Sequence, residues 1–205
     1  MTSLETPLFT ILAATAVGIP ALYLLHRLLA RQPLKLNAYD ILLFMSGSFL
    51  IASIFEVVLG NLHTQIFGWR MWEYRALPNH DGYGSYLGPL FWPWYGFHLY
   101  LFHQVLQIHN WQLSKTTFLK GTCCGLDGPL LELLANGLFI LFSGGFLFYY
   151  TPSDLGHLSS LSVIPHYMIG GVILAYVLRL LNRTKKNWAL PVTLFGAGLG
   201  FVFAG

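Results

Sequence analysis

Charge is what this sequence has least of. Lysine and arginine together number 11, and aspartate and glutamate 8, so 9% of the 205 residues are charged. Soluble domains average about 25%, and so little charge cannot cover a water-soluble surface of this size. Cysteine is as scarce: Cys123 and Cys124 are the two, and they are adjacent. Adjacent cysteines rarely bridge each other, so they read as small packing residues, with acylation the alternative. There is no HExxH, no paired His-x-x-His and no Cys-x-x-Cys, which leaves no metal site to assign. There is no Walker-type loop either, so the chain does not hydrolyse ATP by that route. A basic patch interleaved with base-stacking aromatics is missing, which removes nucleic acid as a partner. No period-two alternation marks spanning strands.

What is there is apolar. Hydrophobic residues make up 55% of the chain, and apolar segments fall at about 7–29, 39–60, 87–108, 121–149, 162–181 and 188–204. A helix needs about 20 residues to cross a bilayer core, and in lipid only helices and closed barrels satisfy their own backbone groups. The expected fold is therefore all-α, a polytopic membrane bundle of about six transmembrane helices in one domain, 1–205. The opening Met1-Thr2-Ser3-Leu4-Glu5 lacks the positive region of a signal peptide, so the first segment is expected to stay as a helix. Arg27, Arg31, Lys35, Lys115, Lys120, Arg179, Arg183, Lys185 and Lys186 lie at alternate connections, whereas Arg70 and Arg75 lie on the other side. That bias places both termini outside and the loops near 31, 115 and 184 in the cytoplasm. The net charge of +3 thus reports topology. The expected location is a cell membrane, a bacterial inner membrane, and the bilayer is the first partner.

Glu56 stands near the end of the stretch 40–60. An acidic residue at a helix centre costs about 2.5–3.5 kcal/mol on insertion scales, so a carboxylate here marks binding, proton relay or a locked ion pair. Ser46, Phe49, Ser53, Glu56 and Gly60 follow a three-four spacing and share one small, polar face that should point into the bundle. Expected partners of Glu56 are Arg70, Arg75, His98 or His166. The loop 61–86 carries Trp69, Trp72, Tyr74, Tyr83 and Tyr86 with Arg70, Glu73, Arg75, Asn79, His80 and Asp81, and reads either as a lid over Glu56 or as an interfacial aromatic belt. Gly88-Pro89 and Pro93-Trp94 open the next segment, where two prolines should kink the helix or free backbone groups. His98 falls near its middle with Trp94 one turn before, and an imidazole beside a carboxylate suits a proton relay. His98 and His103 lie about 140° apart around a helix, too far for one ion. Glu132 is the second membrane carboxylate, with Asn136 one turn on. Asp127-Gly128-Pro129 reads as the start of that helix proper, with Asp127 as cap and Pro129 in the first turn.

An offset of 76 residues superposes Glu56, Gly68, Tyr74, Pro89 and Tyr100 on Glu132, Gly144, Tyr150, Pro165 and Tyr176 without a gap. Parallel repeats of this kind build transporter-like sites. Chance is the alternative.

The register Glu56, Phe67, Arg70, Trp72, Glu73, Tyr74, followed by Asn79 and Gly82, resembles the bacterial membrane family labelled ABC-transporter type IV. Gly88-Pro89 and Pro93-Trp94-Tyr95-Gly96 echo its Gly-Pro-x-x-Pro-x-Tyr-Gly phrase with altered spacing, and Glu73 stands where the family usually has Asp. The resemblance covers about a quarter of the chain and implies a permease whose ATPase partner would dock on the basic loops. A fainter likeness is to the emopamil-binding sterol isomerase group, which also sets a membrane Glu upstream of a Trp-Glu-Tyr segment. That likeness implies proton transfer across a double bond, with no residue roles carried over.

Three readings follow. One is a permease-like or small-solute- or lipid-binding protein with a buried carboxylate site under the aromatic loop. Its ligand-binding residues would be Glu56, Arg70, Trp72, Glu73, Tyr74, Trp94, His98 and His166, and its ligand a small cation or amphipathic molecule. The second is a membrane enzyme acting on a lipid or isoprenoid by acid/base chemistry, with Glu56, His98 and Glu132 as candidates. The third is a non-catalytic scaffold or assembly subunit, in a homo-oligomer or with a partner, where Glu56 pairs with Arg70. Gly121 with Gly125 and Gly196 with Gly200 would then make its small-xxx-small contacts. No cofactor is indicated.

Overall fold

A computed structural model describes residues 5–76, 78–110, 117–181 and 186–204. Most of them are helical: α1 (Glu5–Ala30), α2 (Ala38–Ile54), α3 (Gly60–Phe67), α4 (Gly88–Ile108), α5 (Thr117–Ser143), α6 (Ile164–Leu181) and α7 (Ala189–Ala204). By length and composition Pro7–Ala30, Ala38–Phe67 and Gly121–Ser143 are able to cross a membrane, while Leu161–Val177 and Ala189–Phe203 are apolar but shorter. The basic residues at 115, 183 and 185 lie outside the described residues.

Local chemistry sets the element ends. Asn37 caps α2, its side chain accepting from the Asp40 N–H at 3.1 Å, the role Asn fills well. α2 runs into α3 through a π-helical turn, Phe55–Leu59, that carries Glu56. Such turns are rare and gather at functional sites. The helix thus continues to Phe67, beyond the expected end at Gly60. Gly68 (φ 76°) then stops α3 and Gly144 (φ 74°) stops α5, a left-handed conformation that glycine adopts without a Cβ penalty. The segment 121–149 is therefore not one long helix. Its last residues leave the bundle to form a strand.

Four short strands follow from these stops: β1 (Trp72–Tyr74), β2 (Asn79–His80), β3 (Gly84–Ser85) and β4 (Phe148–Tyr150). β2 and β3 form a hairpin in which Asp81 (φ 46°) and Gly82 (φ 79°) make the turn. β1 pairs antiparallel with β4, Trp72 opposite Tyr150, Glu73 opposite Tyr149 and Tyr74 opposite Phe148. Adding 76 to the pair Trp72–Tyr150 relates it to Phe148–Tyr74, so the ladder is its own image across a local two-fold axis. The flanking bonds obey the same rule: Arg75 N–H donates to Leu147 O at 3.0 Å and Thr151 N–H to Met71 O at 3.0 Å. α4 and α6 also begin 76 residues apart, at Gly88 and Ile164. The repeat read at that offset is a structural one.

Two helix pairs, α2–α4 and α5–α6, are the halves of this arrangement. α2 meets α4 at Gly96, where an added Cβ would lie 2.5 Å from the Met45 Cα. α5 meets α6 at Gly121 and Gly125, where a Cβ would strike Val172 and Met168. That face is filled within the chain and is not open to a partner. α1 lies along α4 and α7 along α2. The core under the strands contains Trp72, Tyr74, Phe139, Phe148, Tyr150 and Val163, and a second cluster joins Ala30, Leu34, Phe97 and Leu101. α4 stays continuous through Pro93. Pro89 occupies the first turn, where its missing N–H has no helical acceptor to lose.

Candidate functional site

Between α2, α4 and α6, roofed by β1 and β4, lies a cavity whose empty space, mouth included, is about 780 Å³. Its walls are Ile51, Phe55, Leu59, Leu99, Val163 and Leu174 with the rings of Trp72, Trp92, Tyr95, Phe148 and Tyr167. Leu99 and Leu174, which line it, also pack with Leu43, Tyr39 and Cys124 in a buried cluster. Glu56 and Glu132 both line this space and both are buried.

Each carboxyl is held by the tyrosine 18 residues further on. The Tyr74 hydroxyl donates to Glu56 Oε1, and Trp92 Nε1–H donates to the same oxygen at 2.9 Å. The Tyr150 hydroxyl donates to Glu132 Oε1 at 2.7 Å. Tyr167 donates to that oxygen at 2.7 Å and Ser159 to Oε2 at 2.6 Å. Burial, followed by the charge of Glu56, holds the Tyr74 phenol well above its ordinary range. Burial and Glu132 do the same for Tyr150, so both phenols keep their protons and act as donors. Neither carboxyl has an Arg or Lys partner among the described residues.

The strands that bring the tyrosines in are themselves anchored. Asn136, wholly buried, donates to Phe148 O at 2.6 Å and Leu158 O at 3.0 Å and accepts from Leu147 N–H at 3.1 Å. In the other half the equivalent position is Gly60, and the rings of Tyr83 and Trp72 occupy the room. There Asn79 Nδ2 donates to Tyr74 O at 3.1 Å and Trp72 Nε1–H to Tyr83 O at 3.1 Å.

Of the residues singled out in the sequence, the cavity gathers Glu56, Trp72, Tyr74, Glu132 and His166. Arg70, Glu73, Trp94 and His98 lie elsewhere. Arg70 donates to Asp81 O at 2.5 Å and stacks over Tyr83 at 4.3 Å, bracing the hairpin from outside. Glu73 pairs with Arg75 at 2.8 Å on the surface. The expected Glu56–Arg70 pair is thus replaced by neutral donors, which spares a guanidinium the cost of entering an apolar cavity. Trp94 packs at Gly18 of α1. His98 Nε2 meets Asp127 Oδ2 at 2.6 Å, with His26 edge-on at 4.8 Å. Asp127 is no cap: α5 begins ten residues earlier and Pro129 sits inside it. No group of three metal-ligating side chains occurs among the described residues. Trp92, Tyr150, Ser159 and Tyr167 were missed as partners of the carboxyls. The 76-residue offset was the signal for Tyr150, since it copies the Glu56–Tyr74 spacing.

No family model, curated protein or solved structure matches the chain. The site's own geometry carries the functional reading.

Proposed function

We propose that the chain is a multi-pass membrane protein whose cavity binds a lipid- or isoprenoid-type molecule, and that the two buried carboxyls perform acid/base chemistry on it. The observation that carries this is two carboxyls without a basic partner in an apolar, aromatic-walled cavity, the setting that prepares such groups for proton transfer. An exposed apolar face supports the membrane reading: Leu130, Leu134 and Leu141 on α5 are 60%, 63% and 74% exposed, and a bilayer covers such a face at no cost. Six helices cross in this proposal, with both termini outside and the strand roof on the outer side. Ser48 favours a ligand with at least one polar atom, because its buried hydroxyl lines the cavity and has no partner. The lining is mostly apolar and aromatic, which favours binding of an apolar molecule over a hydrophilic permease path. The internal repeat and the resemblance of residues 56–82 to the ABC-transporter type IV label favour the permease as second reading.

Native mass spectrometry of the purified protein beside a Glu56→Gln variant tests this. Expected is a lipid or isoprenoid retained by the wild type and lost or weakened in the variant. If neither retains a molecule and the variant only loses thermal stability, the carboxyl is structural and the scaffold reading replaces this one.

A further inference from the structure

We infer that the cavity takes its ligand lengthwise, with a neutral oxygen, a hydroxyl or a ketone, against Ser48 and about 12 Å from the two carboxyls. This rests on the binding reading above and goes further in fixing the ligand's orientation and the chemistry of its inner end.

Three helices give the cavity its length. On α2 the lining runs from Ser48 to Glu56, a distance of about 12 Å at roughly 1.5 Å per residue. α4 runs the opposite way: Trp92 reaches Glu56, while Gly96 lies against Met45. α6 likewise starts under the roof, with the His166 ring 6.4 Å from that of Trp72 and the Tyr167 hydroxyl on Glu132. The lining on these two helices ends at Leu99 and Leu174, about 10 Å past Trp92 and Tyr167. The roof end therefore holds the carboxyls and their donors, and Ser48, Leu99 and Leu174 bound the inner end.

Ser48 is the polar side chain at that inner end, and its hydroxyl is unpaired. A helical serine can donate to the carbonyl four residues back, as Ser53 does to Phe49 O at 2.8 Å. Ser48 is 4% exposed, yet its Oγ has no partner. A buried hydroxyl left unpaired costs stability, and a ligand oxygen seated there removes that cost. The other unpartnered atom of the lining, His166 Nδ1, stands at the roof, one residue before Tyr167. The two unmet polar groups thus mark opposite ends of the cavity.

The inner end selects for a neutral oxygen. A serine hydroxyl donates and accepts, so it pairs with an alcohol or a ketone alike. Among the described residues the lining holds no Lys or Arg, and its acidic members, Glu56 and Glu132, are both at the roof. A phosphate, carboxylate or ammonium beside Ser48 would be buried without a counter-ion.

Farnesol and farnesene, the hydrocarbon that lacks its oxygen, test this when titrated by native mass spectrometry against the protein in nanodiscs. Both probes partition into the bilayer, but every variant meets the same partition, so the alcohol-to-hydrocarbon affinity ratio is compared between variants. Wild type and Ser48→Thr should favour farnesol, and in Ser48→Ala the ratio should fall about fivefold, the weight of one net hydrogen bond. A ratio unchanged in Ser48→Ala places the oxygen elsewhere and overturns the inference. Without ligand, Ser48→Ala should melt no lower than wild type, since it removes a hydroxyl that has no partner. A clear drop in melting temperature makes Ser48 structural and likewise overturns it. Farnesol bound no better than farnesene by wild type, or neither bound, overturns it too. The binding reading falls with it only if the purified protein retains no molecule at all.

Discussion

The two halves of the molecule place the same pair, a buried glutamate and a tyrosine 18 residues later, on different supports. In the first half Glu56 rides a π-helical turn and shares one oxygen between a phenol and an indole. In the second, Glu132 sits in regular helix and satisfies both oxygens with hydroxyls. The strands are held differently too, by the buried amide of Asn136 in one half and by aromatic packing at Gly60 plus an outer hairpin in the other. A repeated backbone thus fixes where the carboxyls stand, and the unrepeated side chains decide what each can do.

The widest gap between the halves should appear at their anchors. Asn136→Leu strands two carbonyls and two N–H groups in the interior, and should cost about 4 kcal/mol of stability at roughly 1 kcal/mol per bond. Its counterpart Gly60→Ala brings a Cβ within 3.1 Å of Tyr83 and 3.2 Å of Trp72 and should cost about 1 kcal/mol. Thermal unfolding in detergent measures both, and equal losses would mean that the halves are braced alike. A smaller gap is expected at the carboxyls. Glu132→Ala leaves three hydroxyls unpaired and should cost about 2–3 kcal/mol, whereas Glu56→Ala leaves two donors and should cost about two-thirds of that. A reversed order in the same assay would remove the basis for treating Glu132 as the fuller hydrogen-bond centre. No gap should appear at the helix stops. Gly68 and Gly144 have nearly the same φ and open surroundings, so Gly→Ala at each should cost about 1 kcal/mol. Unequal melting shifts there would show that the repeat fails at its ends.

Much of the helical content was legible, because apolar runs near bilayer length leave few other options. Glu56 and Glu132 stood out for the same reason, as charges inside such runs. The strand pair was not legible. Residues 72–74 and 148–150 are three-residue segments far apart in the chain, and no local period announces a partner at that distance. Trp92 and Tyr167 were hidden differently: each reads as one more ring on an aromatic helix, and only packing turns its single donor toward a carboxyl. Asp127 misled because Asp-Gly-Pro is the signature of a helix start, while the bond to His98 holds it in mid-helix. Arg70 misled because charge complementarity ignores the outward turn at Gly68.

The ladder between β1 and β4 also sets an order of assembly. Tyr74 is among the earlier residues to leave the ribosome, yet the strand that fixes it ends at Tyr150. Until that second strand arrives, Glu56 is in its helix without the roof that seats its phenol. Contacts across such a span form late in folding. The cavity is therefore finished only after both helix pairs are in place, and a nascent chain stopped before residue 148 would hold the first carboxyl and no closed site.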